Sequence, residues 1–169
     1  MSNHTKISVF VTGGTFDKAY NMLNGELFFG QTNVPSMFER GRSRLDLDIR
    51  SLMMIDSLEM TKVHREIIIE NCRNATSNRI LITHGTDRMV ETAKALAQAE
   101  IKDKTIVLTG AMIPYKFGSS DGFFNLGSAV SFVQTLPPNV YVAMNGRYYP
   151  WDNVRKNVTT GYFEELITI

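Results

Sequence analysis

The stretch Ile7-Ser8-Val9-Phe10-Val11-Thr12-Gly13-Gly14-Thr15, read ISVFVTGGT, decides the fold because a largely apolar run ends in a glycine turn. Runs of this kind are typical of strands buried on both faces of a parallel sheet. The pattern returns at Ile80–Thr83, which leads into the THGTD segment Thr83–Asp87, and again at Ile106–Thr109. The sequence therefore predicts parallel strands that end in turns rich in threonine and glycine.

The remaining apolar runs and the segments between them indicate an α/β architecture. Leu52–Ile55 and Val140–Met144 are apolar in the same way, and helical spacing occurs at Thr61–Asn74, Met89–Ala99 and Phe123–Thr135. A series of strand, helix and strand implies parallel pairing through crossovers. We predict a single domain over residues 1–169, folded as a three-layer sandwich with a mainly parallel central sheet.

Two segments depart from this rhythm. Between Asp17 and Arg50, the dipeptide Asn24-Gly25 favours a hairpin turn, and a short helix is expected after Pro35. The alternating charges from Arg40 to Arg50 are typical of a solvated face. Long excursions just after a first strand are more often functional lids than connectors, so we predict a β-hairpin flap near the N-terminus. Over the tail Arg147–Ile169, in which Pro150 breaks any helix, we expect irregular structure and a β-hairpin.

The composition excludes several classes of function. Lysine and arginine number 18 against 17 acidic residues, and a formal net charge of +1 gives no field that attracts nucleic acid or an anionic membrane. No apolar window approaches the length of a membrane span, and the N-terminus lacks a secretory pattern. We expect a cytoplasmic protein whose partners are small molecules or further copies of itself.

The cysteine and the histidines indicate neither a disulfide framework nor a metal site. Cys72 is the single cysteine and lies in a segment with helical spacing, so we expect a buried helix residue rather than a catalytic thiol. His4, His64 and His84 are far apart in the chain and lack the spacing of zinc ligands. We therefore expect neither a metal nor another cofactor.

The chemistry is expected at the carboxyl ends of the strands, where open parallel sheets bind ligands. The TGGTFDK turn lacks the glycine spacings of nucleotide-binding loops, which leaves Thr15 as a candidate hydroxyl nucleophile. A threonine needs a neighbouring group that takes its proton. Thr86 and Asp87 end the third strand, although Asp87 fits equally well as the N-cap of the helix that follows.

A lysine held between Thr86 and Asp87 is a suitable proton acceptor if desolvation lowers its pKa. The candidates are Lys18, Lys116 and Lys156. The residues alone do not choose among them, because each also fits as a solvated surface lysine.

Four motifs in order resemble the bacterial-type L-asparaginase family, the threonine amidohydrolases, over about two-thirds of the chain. They are TGGTFD, THGTDRMVETA, VLTGAMIPYKFGSSDGFFNLGSAV and the segment from Met144-Asn145 to Lys156. The resemblance implies that Thr15 attacks the side-chain amide of asparagine, that ammonia leaves, and that water hydrolyses the acyl-enzyme. It also implies a triad of Thr86, Asp87 and Lys156, with the lysine placed by its distance from Met144-Asn145.

The resemblance further implies a set of substrate contacts. Ser57 matches a serine that holds the substrate α-carboxylate, whereas Leu58 replaces a polar residue, often glutamine. A flap tyrosine assists the nucleophile in the family, and Tyr20 is the candidate here. The other residues expected to bind substrate are Gly14, Gly85, Asp56 and Ala111.

Several alternatives remain open from the sequence. The chain stops before the second, smaller domain of typical members, which predicts either a short-chain enzyme or a non-catalytic binding module. The substrate is expected to be an amino-acid amide, but asparagine and glutamine differ by one methylene, which is worth only about 1 to 3 kcal/mol in a pocket. Relatives are commonly homo-oligomers, so a dimer or tetramer is expected.

Overall fold

The computed structural model describes residues 5–166, which lie within an α/β fold. His4 and the two ends of the predicted domain are outside the described residues. The strands are β1 Ile7–Gly13, β2 Lys18–Asn21, β3 Glu26–Phe29, β4 Leu47–Ile55, β5 Arg79–Thr83, β6 Thr105–Thr109, β7 Asn139–Met144, β8 Arg147–Pro150, β9 Arg155–Lys156 and β10 Phe163–Glu164. The α-helices are α1 Val34–Arg40, α2 Lys62–Asn74, α3 Met89–Gln98 and α4 Gly122–Thr135.

The central sheet has six strands in the order β4-β1-β5-β6-β7-β8. All neighbours pair in parallel except β8, which runs antiparallel to β7. The chain builds outward from β1 in both directions, because β4 lies on one side of it and β5 on the other. The order of strands therefore reverses between β1 and β5, and such a switch point is where open α/β sheets bind ligands.

Helices cover both faces of the sheet, which confirms the predicted three-layer sandwich. Alternate residues of each strand face opposite layers, as the period of two in a strand requires. On one face, Phe10, Ile82 and Leu108 pack with α2 and α3, whereas on the other face Val9 and Leu81 pack with α1 and α4. This double burial explains why the strands read as apolar runs rather than as alternating patterns.

The predicted flap is present as an antiparallel hairpin of β2 and β3. Its register runs from Lys18 opposite Phe29 to Asn21 opposite Glu26, and Gly25 takes a positive φ of 76° in the turn. The tail also contains the predicted hairpin, since β9 and β10 pair antiparallel with Lys156 opposite Phe163.

The edge strand β4 begins earlier than the sequence predicts. It was expected at Leu52–Ile55 but starts at Leu47, and it takes in the last residues of the charged segment Arg40–Arg50. The predicted solvated face is confirmed, since Arg40, Arg42, Arg44 and Asp46 are exposed. Because β4 is an edge strand, its polar residues reach solvent without breaking the sheet. The apolar pair Phe123-Phe124 at the start of α4 predicts two core residues from its sequence, but this prediction was wrong because both side chains are exposed.

Burial settles the role of the single cysteine. Cys72 is fully buried on α2, and burial raises the pKa of its thiol to about 12, so it carries no thiolate at neutral pH. Over residues 5–166, none of the helices is long and apolar enough to cross a membrane.

Candidate active site

The two threonine turns lie against each other at the switch point. Val11 on β1 pairs with Thr83 on β5, and the Thr12 hydroxyl donates to the Thr83 carbonyl at 2.8 Å. Beyond this pair the two backbones meet so closely that a Cβ built on Gly14 would lie 2.4 Å from the Gly85 Cα. Gly14 also has a φ of +74°, a conformation that favours glycine. The TGGT and THGT turns are thus adjacent in space because glycine stands at their contact.

We expect Gly14→Ala to lower the free energy of unfolding by about 2 to 4 kcal/mol, because the new Cβ adds a backbone clash to a strained positive φ. Urea unfolding measures the change. Gly127→Ala is the matched control, since Gly127 is on α4 and a Cβ there meets nothing within 4 Å. This variant should be as stable as the wild type or more stable by up to about 1 kcal/mol. Equal stability of the two variants would contradict the role of the Gly14 contact.

Lys156 joins the second turn to the tail of the chain. Its ammonium lies 2.8 Å from the Thr86 hydroxyl oxygen and 2.7 Å from the Asp87 carboxylate. The lysine side chain is 13% exposed and the aspartate side chain 48% exposed. Of the three candidate lysines, Lys156 is therefore the one placed between Thr86 and Asp87, whereas Lys18 pairs elsewhere and Lys116 is exposed.

The alternative interpretation of Asp87 as a helix N-cap was wrong. Helix α3 begins at Met89, its N-cap is Arg88, and no side chain caps it. The Asp87 carboxylate instead accepts a hydrogen bond from Lys156. This contact supports the interpretation of Asp87 as a residue of the site.

The strand that carries Lys156 is anchored by groups that the sequence analysis did not identify. The Asn145 side-chain oxygen accepts from the Phe163 amide at 3.0 Å, and the Tyr149 hydroxyl donates to the Phe163 carbonyl at 2.8 Å. Asn125, buried on α4, accepts from the Asn145 amide and donates to the Gly110 carbonyl. The asparagine at position 145 has a positive φ of 58°, a conformation that asparagine adopts more readily than most residues.

Ser57 lies against the THGTD turn, and its substrate-binding role stays a prediction. It is buried, its hydroxyl accepts from the Arg88 amide at 3.3 Å, and a Cβ on Gly85 would lie 2.5 Å from that hydroxyl. The preceding residue, Asp56, caps the short turn that contains Ser57 by accepting from the Leu58 amide at 3.0 Å. The Leu58 side chain is exposed.

The loop after β6 closes another side of the site. Ala111 is buried in this loop, and the amides of Met112 and Ile113 donate to the Asp121 carboxylate at 3.0 to 3.1 Å. The Met112 sulfur lies 3.5 Å from the Thr86 hydroxyl. The sequence Asp121-Gly122 predicts a turn and a helix N-cap. Asp121 is the residue before α4, but its carboxylate holds the loop instead of capping the helix.

The flap places Tyr20 on β2, opposite Leu27. The side chain is 56% exposed, and its hydroxyl lies 3.8 Å from the position of a Cβ on Gly25, at the hairpin turn. Closure of Tyr20 over Thr15 stays a prediction.

His84 supports the THGTD turn from beneath. Its side chain is fully buried, with Nδ1 2.7 Å from the Gly85 carbonyl and Nε2 2.8 Å from the Thr92 hydroxyl. Burial lowers the pKa of the imidazole to about 4, so the ring is neutral near pH 7. A neutral ring satisfies both contacts when Nδ1 donates to Gly85 and Nε2 accepts from Thr92. His84 therefore fixes the turn through both ring nitrogens.

We expect acid to destabilise the protein through His84. Below pH 6.5 the His84 ring of the unfolded chain takes up a proton, whereas the buried ring of the folded protein stays neutral down to about pH 4. The stabilising contribution of the neutral ring is thus complete above pH 6.5 and is lost as the pH falls towards 4, by up to about 3 kcal/mol. Urea unfolding from pH 7 to pH 4 measures it.

His84→Gln is the control for this pH dependence, because it keeps a polar side chain without a titrating ring. The variant should be less stable at pH 7 and should lose less stability on acidification. Parallel curves for the wild type and the variant would contradict the assignment.

Fold and site together define a doubly wound α/β domain in which the turn that carries Thr15 lies against the turn that carries Thr86 and Asp87, at the switch point. The asparaginase N-terminal domain family matches residues 6–163, so the chain belongs to the asparaginase family. The probable periplasmic L-asparaginase of Haemophilus influenzae is 28% identical over 91% of this chain and 47% of its own length. The glutaminase-asparaginase of Acinetobacter glutaminasificans is 40% identical over 48% of this chain and 25% of its own length.

Solved structures agree with this assignment. L-asparaginase I from Vibrio cholerae superposes with a TM-score of 0.82 at 25% identity, over 96% of this chain and 51% of that protein. The chain thus spans about half of that structure and about half of the Haemophilus relative. The predicted family resemblance is confirmed.

Proposed function

We propose that this chain hydrolyses the side-chain amide of L-asparagine to L-aspartate and ammonia through an acyl-enzyme on Thr15. The observation that carries the proposal is the Lys156 ammonium placed between Thr86 and Asp87 on the turn next to Thr15. Family membership supports amide hydrolysis as the class of reaction. No step requires a metal or another cofactor.

The proposed reaction has two halves. In the first, the Thr15 hydroxyl oxygen attacks the amide carbon and gives up its proton, and this proton is delivered to the amide nitrogen so that ammonia leaves as the carbon–nitrogen bond breaks. In the second, water attacks the Thr15 ester, and the threonine oxygen leaves with a proton. The proton is proposed to pass by way of the Thr86 hydroxyl and the Lys156 side chain beside it, while Asp87 holds the lysine in place.

The proposed substrate contacts follow the loops that converge on the two turns. Ser57, next to Gly85, is proposed to hold the α-carboxylate of the substrate. Gly14 and Gly85 are proposed to contact the substrate through backbone groups only, because protein atoms fill the space that a Cβ on either would occupy. Ala111 borders the site from the loop after β6. Asp56 is a weaker candidate for direct contact, because both of its oxygens accept hydrogen bonds from protein groups.

Glutamine is the second candidate substrate. The relative from Acinetobacter is named a glutaminase-asparaginase, and the exposed Leu58 stands where a polar residue was expected. Asparagine and glutamine differ by one methylene, which changes the binding free energy in a pocket by only about 1 to 3 kcal/mol. Both amides therefore belong in the first substrate panel.

The test is ammonia release from asparagine, glutamine and simple amides. We expect Thr15→Ala to lower kcat/KM by about a thousandfold or more, because the nucleophile is removed, and Lys156→Met to have an effect of similar size. Thr15→Ser keeps a hydroxyl and should retain measurable activity. Lys62→Met, which removes an exposed ion pair on α2, is the control and should match the wild type.

Two outcomes would overturn this proposal. Full activity in Thr15→Ala, or in Lys156→Met, would exclude the mechanism. A folded wild type that releases ammonia from no amide would favour a non-catalytic binding module. Self-association as a dimer or tetramer stays a prediction. A cytoplasmic location also stays a prediction, since the Haemophilus relative is named periplasmic.

A further inference from the structure

Lys18 starts the flap and is one residue beyond the turn that carries Thr15. Its ammonium lies 2.5 Å from one carboxylate oxygen of Asp56, 38 positions further along the chain. The two side chains are only 19% and 27% exposed, so the pair is partly shielded from solvent. Shielded pairs are weakened less by salt than pairs on an open surface.

Asp56 connects this lysine to the turn that contains Ser57. One carboxylate oxygen accepts from Lys18, and the other accepts from the Leu58 amide as the cap of the Ser57–Glu59 turn. The Lys18 ammonium is the main reason that the pKa of the Asp56 carboxyl lies below its usual value. A single carboxylate therefore fastens the flap and caps the Ser57 turn at the same time.

The flap holds Lys18 in this position from its own side. Phe29 is the cross-strand partner of Lys18, and the ammonium lies 5.7 Å from the centre of its ring. The neighbouring Asp17 is buried and accepts from the Asn33 amide at 2.7 Å and from the Thr32 hydroxyl at 2.9 Å. Both strands of the hairpin are thus tied at the base where Lys18 reaches out to Asp56.

We propose that Lys18 is a positioning residue that couples the flap to the Ser57 turn through Asp56, so that both hold the substrate as one unit beside Thr15. The inference rests on the proposed function. Lys18 acts through Asp56 and Ser57 and is not itself a catalytic residue, because Lys156 occupies the place between Thr86 and Asp87. When this coupling is lost, the substrate binds more weakly, but the reacting groups keep their positions.

The first test is a double-mutant cycle on the steady-state kinetics with asparagine. We expect Lys18→Met and Asp56→Asn each to raise KM about tenfold, or about 1.4 kcal/mol, with kcat within about threefold of the wild type. The double variant should be no worse than either single variant, because the same contact is lost. Lys18→Arg keeps the charge and should restore most of the affinity.

Lys62→Met is the matched control. It removes an exposed lysine from an ion pair with Glu66 on α2, keeps the Lys18–Asp56 pair, and should leave KM unchanged. Wild-type KM in Lys18→Met, or additive losses in the double variant, would overturn the inference. A fall in kcat with unchanged KM would also overturn it.

A second measurement does not depend on amide hydrolysis. Hydrogen exchange of the backbone amides in residues 18–29 and 56–60 should be faster in Lys18→Met than in the wild type, and Lys62→Met should leave both segments unchanged. Faster exchange in the flap alone, or in neither segment, would overturn the coupling. If Thr15→Ala keeps full activity, the proposed function fails while the exchange result still decides the role of Lys18.

Discussion

The structure depends on the contact between the backbones of Gly14 and Gly85. A Cβ on Gly14 would lie 2.4 Å from the Gly85 Cα, so no side chain fits between the two turns. The contact is possible because β1 and β5 are hydrogen-bonded neighbours and both strands end there. It places the threonine that follows each glycine at the point where the strand order reverses. The adjacent ends of two parallel strands thus bring two threonines together in the candidate site.

Four aspartates at this edge each fasten a different segment. Asp17 holds the return of the flap, Asp56 holds its beginning, Asp87 receives Lys156, and Asp121 fixes the loop beside Thr86. Burial raises the pKa of the Asp17 carboxyl, whereas Lys18 lowers that of Asp56. The loops after parallel strands have no ladder of their own, so carboxylates that accept several hydrogen bonds supply the order that such loops need.

Much of this arrangement could be predicted from the sequence because its main signals are local. The apolar runs predicted the strands and Asn24-Gly25 predicted the hairpin, since both patterns report nearby burial or turn geometry. The partner of Lys18 could not be predicted, because Asp56 is distant in sequence and surface lysines look alike. The choice of Lys156 over two other lysines needed family motifs. The structure then shows Lys156 in contact with Thr86.

The lysine of the site comes from outside the central sheet, so its position must be set by separate anchors. Strands β9 and β10 share only two residue pairs, too few to hold a side chain firmly on their own. Phe163 compensates because its amide bonds to Asn145, the residue after β7, and its carbonyl bonds to Tyr149 on β8. Asn125 extends this connection to Gly110, beside the loop that borders Thr86. The position of Lys156 therefore depends on the end of β7 as well as on its own strand. The same point of the chain, Met144-Asn145, is the one from which the family motif places Lys156 in the sequence.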